Sequence, residues 1–270
     1  MNNKSVRFGM IGGGMMGEAL LSRLVAQQMY GAAEIVVSEP SAERREFLAQ
    51  TYKVGVTGHN QNAAIASEVV LLAIKPQILP QVAPEISSHL QPSALVISIL
   101  AGTSLSQLEA AFPGQPVVRS MPNTPAAVGA GVTAIAAGQQ VERLHLDLAT
   151  HILQTVGEVV EVPESSMDAV TGLSGSGPGY VALMIEALAD GGVAAGLPRG
   201  VAMKLALQTV RGTAQLLQET AMHPGELKDR VTSPGGTTIA GIAQLEKAGF
   251  RSAIMEAVKA AWLRSQELGR

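Results

Sequence analysis

Val6-Arg7-Phe8-Gly9-Met10-Ile11-Gly12-Gly13-Gly14-Met15-Met16-Gly17 decides the reading of this chain. The run 6–11 is apolar enough for a buried strand, and the residues that follow to Gln28 are good helix formers with apolar positions at helical spacing. Between them stands Gly12-x-Gly14-x-x-Gly17, in the strand, turn and helix order that a dinucleotide-binding fingerprint requires. The first glycine allows the tight turn and the second lets a pyrophosphate approach the backbone. The third permits close packing of strand on helix at the positively polarised helix end.

The residues downstream extend the pattern. Glu39 lies 22 residues beyond Gly17, at the end of the second apolar run. An acid there accepts hydrogen bonds from both hydroxyls of an adenine ribose; the alternative is that Glu39 caps the helix beginning around Ser41. Asn60 either caps its own helix or reaches the adenosine half. Lys75-Pro76 ends the fourth run, at the edge where open sheets place ligands. Lys75 contacts the cofactor or serves as a general acid, and the first reading is favoured. Ala101-Gly102 ends the fifth run, where small residues let a nicotinamide lie against the backbone or simply make a tight turn. The cofactor-binding set is therefore Ile11, Gly12, Gly13, Gly14, Met15, Met16, Gly17, Glu39, Asn60, Ala73, Ile74, Lys75, Pro76 and Ala101. Glu39 tilts the choice toward NADH, because a carboxylate repels a 2'-phosphate, although Ser38 and Asn60 accommodate one if Glu39 turns away.

The same rhythm recurs along the first half. Strands are expected at 34–38, 53–56, 69–74, 95–100, 116–121, 131–136 and 157–162, with helices at 41–50, 78–90, 105–110 and 141–153. Short apolar runs alternating with helices indicate a mainly parallel sheet covered on both faces. After Pro163 the strand-like runs vanish. Helices are expected at 180–195, from Pro198 as a first helical residue to about 220, at 227–231, at 238–248 and at 251–268. The fold class is thus α/β: an N-terminal Rossmann-type dinucleotide-binding domain over 1–163, and a C-terminal all-helical domain over 164–270 for substrate binding and dimerisation.

Apolar residues make up 47% of the 270-residue chain and charged residues only 15%. So thin a polar coat points to self-association, with the long, nearly charge-free helices as the interface. The net charge of -3, without a basic run, argues against nucleic acid as a partner. Cysteine is absent, which removes disulfides, thiolate nucleophiles and cysteine metal sites. The histidines His59, His89, His145, His151 and His223 are scattered without metal-ligand spacing, so no metal is expected. The start, Met1 to Phe8, is too short and polar for a signal peptide, and no apolar stretch is long enough to span a membrane. A cytoplasmic protein is the expectation.

Three further segments carry polar groups to turns: Met121-Pro122-Asn123-Thr124-Pro125, Leu173-Ser174-Gly175-Ser176-Gly177-Pro178-Gly179, and Ser233-Pro234-Gly235-Gly236-Thr237-Thr238. The last two precede predicted helices, where free N–H groups and hydroxyls make a nest for a small carboxylate, or else two ordinary helix caps. Taken with Asp168-Ala169-Val170-Thr171-Gly172, Ala189-Asp190-Gly191-Gly192-Val193, Gly196-Leu197-Pro198-Arg199 and His223-Pro224-Gly225, they form an ordered set. In that set the chain closely resembles the pyrroline-5-carboxylate reductase family, over residues 6–268.

The resemblance implies reduction of the cyclic imine (S)-1-pyrroline-5-carboxylate to L-proline by NADH or NADPH, the last step of proline biosynthesis, with NADPH use common in the family. It implies an imine held between the cofactor domain of one subunit and helical regions of the dimer, and assembly as a homodimer or a decamer of five dimers. Thr238 is expected to donate toward the ring nitrogen, Gly235, Gly236 and Thr237 to hold the carboxylate together with Ser176, and Lys75 to lie in the cofactor-contacting loop. Thr238 and Lys75 are the catalytic candidates. The competing readings are a two-domain 3-hydroxyacid dehydrogenase using Lys204, another imine reductase, and a non-catalytic dinucleotide-binding protein.

Overall fold

The computed structural model describes residues 6–269, so of the start read above, residues 1–5 lie outside the described residues. The chain divides into two compact units. One runs through Gly175 and takes in the chain from Ala261 onward, and the other spans 176–260.

The first unit is built on eight strands. They are β1 (Phe8–Ile11), β2 (Ile35–Ser38), β3 (Gly55–Thr57), β4 (Val69–Leu72), β5 (Leu95–Ser98), β6 (Val117–Met121), β7 (Gly131–Ala137) and β8 (Gly157–Glu161), in spatial order β3-β2-β1-β4-β5-β6-β7-β8. The connecting helices are α1 (Met15–Ala26), α2 (Ala42–Tyr52), α3 (Asn60–Ala64), α4 (Leu79–Ile86), α5 (Leu105–Ala111) and α6 (Arg143–Gln154), followed by a single turn, α7 (Met167–Val170). Every residue of β1, β4 and β5 is buried, as befits parallel strands covered on both faces. Their side chains alternate between two cores. Phe8, Met10, Leu71 and Ile97 pack with Leu20 and Leu24 of α1 and Ile152 of α6. Ile11, Val70, Leu72 and Val96 pack with Leu79 and Val82 of α4 and Leu108 of α5 on the opposite face.

All pairings are parallel except β6 with β7. The link between these two contains only a 3₁₀ turn, Thr124–Val128, closed by Gly129 at φ 75°. A link without a crossover helix cannot return to the far end of the sheet, so the chain must reverse. The expected strands and helices are otherwise present, with ends displaced by a few residues. β4 and β5 stop at Leu72 and Ser98 because the next residues turn away from the ladder into the loops that carry Ala73 to Pro76 and Ala101.

The second unit is helical: α8 (Gly177–Ala194), α9 (Arg199–Thr220), α10 (Pro224–Arg230), α11 (Thr237–Lys247) and the first part of α12 (Phe250–Leu268). Pro198 is the N-cap of α9 rather than its first helical residue, and its carbonyl accepts from Val201 and Ala202 at 3.0 Å. The α8–α9 pair approaches closely because a β-carbon at Gly192 would lie only 3.0 Å from that of Ala202. Its buried cluster holds just Ala189, Ala202 and Ala206. Leu183 is 68% exposed and Met255 65%, with Leu205, Leu207 and Leu245 also open. Three alanines are far too little core for a unit of this size, so its stability requires another surface to cover these faces.

Candidate functional site

The carboxyl ends of β1, β2, β4 and β5 form one edge. Gly12 N–H donates to Ser38 O at 2.8 Å, Ala73 N–H to Ile11 O at 2.8 Å, and Ile99 N–H to Leu72 O at 3.1 Å. Because β2 lies on one side of β1 and β4 on the other, the crossovers diverge here and open the crevice in which such sheets bind ligands.

The three fingerprint glycines do three different jobs. Gly12 has φ 101°, and a β-carbon there would sit 2.6 Å from Ala73 O, so no other residue fits. A β-carbon at Gly17 would lie 2.7 Å from Gly12 O, which makes this glycine the close contact of helix with turn. A β-carbon added at Gly14 would meet nothing within 4 Å. It is the N-cap of α1 and provides no side-chain cap, and the next residue, Met15, is 90% exposed. Open space over an uncapped helix start is what a pyrophosphate needs: free N–H donors, a positive helix end and no side chain in the way. The residues present therefore fit a dinucleotide.

Glu39 turns toward this glycine turn. Its Oε2 accepts from Gly13 N–H and its Oε1 from Ser41 N–H, both at 3.0 Å. The capping of α2 falls to the Ser41 hydroxyl, which accepts from Arg44 N–H at 3.3 Å. The alternative of Glu39 as the cap is thus taken by another residue. Asn60 does not cap α3 either, because His59 holds that position. Asn60 Oδ1 accepts from Ser38 Oγ and its Nδ2 donates to Glu85 Oε2, both at 2.7 Å. Ser38 is only 2% exposed, so its hydroxyl is committed to Asn60 and is not available to a 2'-phosphate.

Ala73 and Ile74 border Gly12. Lys75 caps the 3₁₀ turn Pro76–Ile78 and is exposed, and Ala101 is exposed after β5. The first unit thereby gathers Ile11 to Gly17, Glu39 and Ala73 at one sheet edge. What the linear reading missed is Arg44. Its Nε donates to Gly13 O at 2.7 Å, and its guanidinium pairs with Glu18 of α1, whose other oxygen accepts from Tyr52 OH at 2.7 Å. Burial pushes the Glu18 carboxyl up, but the hydrogen bonds from Arg44 and Tyr52 and the arginine's charge outweigh it and leave the pKa lowered.

In the second unit, Ser176 is the N-cap of α8 and Thr237 and Thr238 open α11. In the turn before α11, Gly235 has φ 66° and Gly236 is an extended N-cap without a side-chain cap, but the Gly236 N–H is not free, since it donates to Ser233 O at 3.0 Å. The segment before α8 differs, because the backbone stays helical from α7 through a π turn at Thr171–Gly175. Asn123 is only 9% exposed; it donates to Ser174 O at 3.2 Å and accepts from Val132 N–H at 3.0 Å. Lys204 stands exposed on α9. Among the described residues, no group of three His, Cys, Asp or Glu is placed to hold a metal, and no helix is long and apolar enough to cross a membrane.

Comparison with known proteins agrees with both halves. Residues 164–268 match the family model for pyrroline-5-carboxylate reductase dimerisation, and residues 7–102 match that for NADP oxidoreductases, coenzyme F420-dependent. A pyrroline-5-carboxylate reductase of Synechocystis is 61% identical over 98% of this chain and 99% of its own. The structure of a pyrroline-5-carboxylate reductase from Coxiella burnetii superposes with a TM-score of 0.92 at 34% identity, over 99% of this chain and 100% of that one. The Plasmodium falciparum pyrroline carboxylate reductase with NADP bound gives 0.88 at 32% identity, over 98% of each. The glycine turn, the helical half short of a core and this end-to-end kinship agree: the chain belongs to the pyrroline-5-carboxylate reductase family.

Proposed function

We infer that the protein reduces (S)-1-pyrroline-5-carboxylate to L-proline with NADH or NADPH, the last step of proline biosynthesis. The observation that carries this reading is the glycine turn, where Gly12 and Gly17 are sterically obligatory and Gly14 is open to a ligand. The bound reduced nicotinamide supplies a hydride. The chain's own tasks are to hold the imine carbon within reach of that donor and to keep the ring nitrogen protonated, and neither needs a strong base.

Thr238, in the first turn of α11, is assigned as the donor to the ring nitrogen. Gly235, Gly236 and Thr237, with Ser176, are assigned to the substrate carboxylate. Lys75 is assigned to the cofactor-contacting loop, Ala101 to the nicotinamide side of the cofactor, Asn60 to the adenosine side, and Glu39 to the ribose hydroxyls, which favours NADH. The helical half from residue 164 serves dimerisation, giving a homodimer or a decamer of five such dimers in the cytoplasm.

Purified protein incubated with the imine and each reduced cofactor should form proline in step with cofactor oxidation. Absence of proline with both cofactors overturns the reading. Light scattering should give a dimer or larger, and an active monomer in dilute solution refutes the assigned interface.

A further inference from the structure

We propose that Arg44 is a positioning residue for the cofactor: together with Glu39 it clamps both faces of Gly13 and so presets the glycine turn for a pyrophosphate. The proposal rests on the reading of that turn as the dinucleotide site. Gly12-Gly13-Gly14 is three glycines in succession, the most flexible tripeptide the chain can offer, and its ordering costs more entropy than that of any other sequence. The structure holds it from outside. Gly13 N–H is taken by Glu39 Oε2 at 3.0 Å and Gly13 O by Arg44 Nε at 2.7 Å.

Because the peptide unit is planar and trans, fixing the Gly13 carbonyl also fixes the Gly14 N–H, which points the opposite way in the same plane. Gly14 is the fingerprint glycine at which an added β-carbon would meet nothing within 4 Å. Its donor is therefore oriented before any ligand arrives, and the ordering cost is not charged against cofactor affinity.

Arg44 is itself well braced. Its guanidinium pairs with Glu18 and lies over the Phe47 ring, 5.0 Å from the centroid. Glu18 is fixed from its other side by Tyr52. The pairing has a second effect. Glu18 is an acid in the first turn of α1, close to where the doubly charged pyrophosphate must bind, and Arg44 neutralises it. Loss of Arg44 both frees the turn and exposes an anion to an anion. A pyrophosphate is common to NADH and NADPH, so the clamp acts on both cofactors alike. An arginine serving as a 2'-phosphate ligand acts on NADPH alone.

The test is direct binding and steady-state kinetics with NADH and NADPH for the full-length protein carrying Arg44→Met, Arg44→Lys or Gly14→Glu. Arg44→Met should raise Kd and KM for both cofactors by the same factor, about tenfold, with kcat retained at saturating cofactor. Arg44→Lys, which cannot reach Gly13 O and Glu18 together, should recover only part of the loss. It also keeps the test open should the methionine variant fold poorly. A loss confined to NADPH, or a lowered melting temperature with unchanged Kd for both cofactors, overturns the clamp. Gly14→Glu places an acid in the open space and should abolish binding of both cofactors. If it does so while Arg44→Met binds normally, only the clamp fails; if Gly14→Glu binds normally, the glycine-turn reading fails with it.

Discussion

The carboxylate of Glu39 accepts the backbone N–H of Gly13, 26 residues earlier, at 3.0 Å. The residue proposed to discriminate between the cofactors is thus hydrogen-bonded to the turn proposed to bind them. On the proposed assignment, Glu39→Ser removes the negative charge that would face a 2'-phosphate and the acceptor for the free ribose hydroxyls. The ratio of kcat/KM for NADPH to that for NADH should rise by about ten- to a hundredfold, the size of a lost charge-assisted hydrogen bond. The intact protein should prefer NADH at physiological salt. A severalfold NADPH preference that survives the substitution removes Glu39 as the discriminator.

Thr238→Val preserves shape and deletes one donor at the start of α11. Turnover should fall by about one to two orders of magnitude while the Kd of the reduced cofactor stays put, because a donor to the ring nitrogen matters most as that nitrogen becomes an amine. Cofactor binding that weakens as much as turnover contradicts the assignment.

Lys75 is exposed where the chain leaves β4. Lys75→Met should raise the cofactor KM by about tenfold with little change in kcat, since an exposed cation assigned to an anionic cofactor contributes to binding rather than to proton transfer. A large fall in kcat at saturating cofactor promotes Lys75 to a chemical role.

Local pattern made the parallel core, the glycine turn and the helical half legible, because buried strands read as apolar runs and Gly12 has no alternative. What escaped depends on partners far apart in sequence. The Arg44 contact spans 31 residues to Gly13, and nothing in the chain near Arg44 signals it. The reversal of β7 follows from how little helix its link holds, which apolar patterning does not report. Thr171 to Gly175 reads as a loop on composition, yet the Thr171 and Ser174 hydroxyls donate back to Met167 O and Val170 O at 3.0 and 3.1 Å. Such bonds let serine and threonine persist in helical backbone.

Tyr52 makes the stability of the first unit pH-dependent in alkali. Burial, then the hydrogen bond to Glu18 and that acid's charge, push its phenol up to about 12 from the usual value near 10. The native state therefore holds this proton more tightly than the unfolded chain does. Its contribution is complete below about pH 10 and disappears as the pH rises through about 12. Tyr30, raised by burial and by Glu68, acts in the same direction. Denaturant unfolding followed from about pH 9 to about pH 12 should show stability falling with pH, less steeply in Tyr52→Phe, with the Tyr30 share remaining. Equal slopes for the two proteins contradict the coupling.

Asn123 ties the link after β6 to two backbone segments, accepting from Val132 N–H in β7 and donating to Ser174 O in the π turn. The Val132 donor fixes which end of the amide is oxygen, because the reverse orientation would set two donors against each other. Asn123→Ala leaves both backbone groups without this partner and should cost about 1–3 kcal/mol in urea unfolding. Asn123→Asp is closer in shape but should be no better at neutral pH: it keeps the acceptor for Val132 and sets a second oxygen against the Ser174 carbonyl. Protonating that aspartate restores a donor, so the Asp variant should regain stability relative to the Ala variant as the pH falls toward about 4. Turnover should drop in both variants, since the π turn held by Asn123 leads directly to Ser176 at the start of α8. An Asp variant as stable and active as the parent at neutral pH rules out the bond to Ser174 as the one that matters.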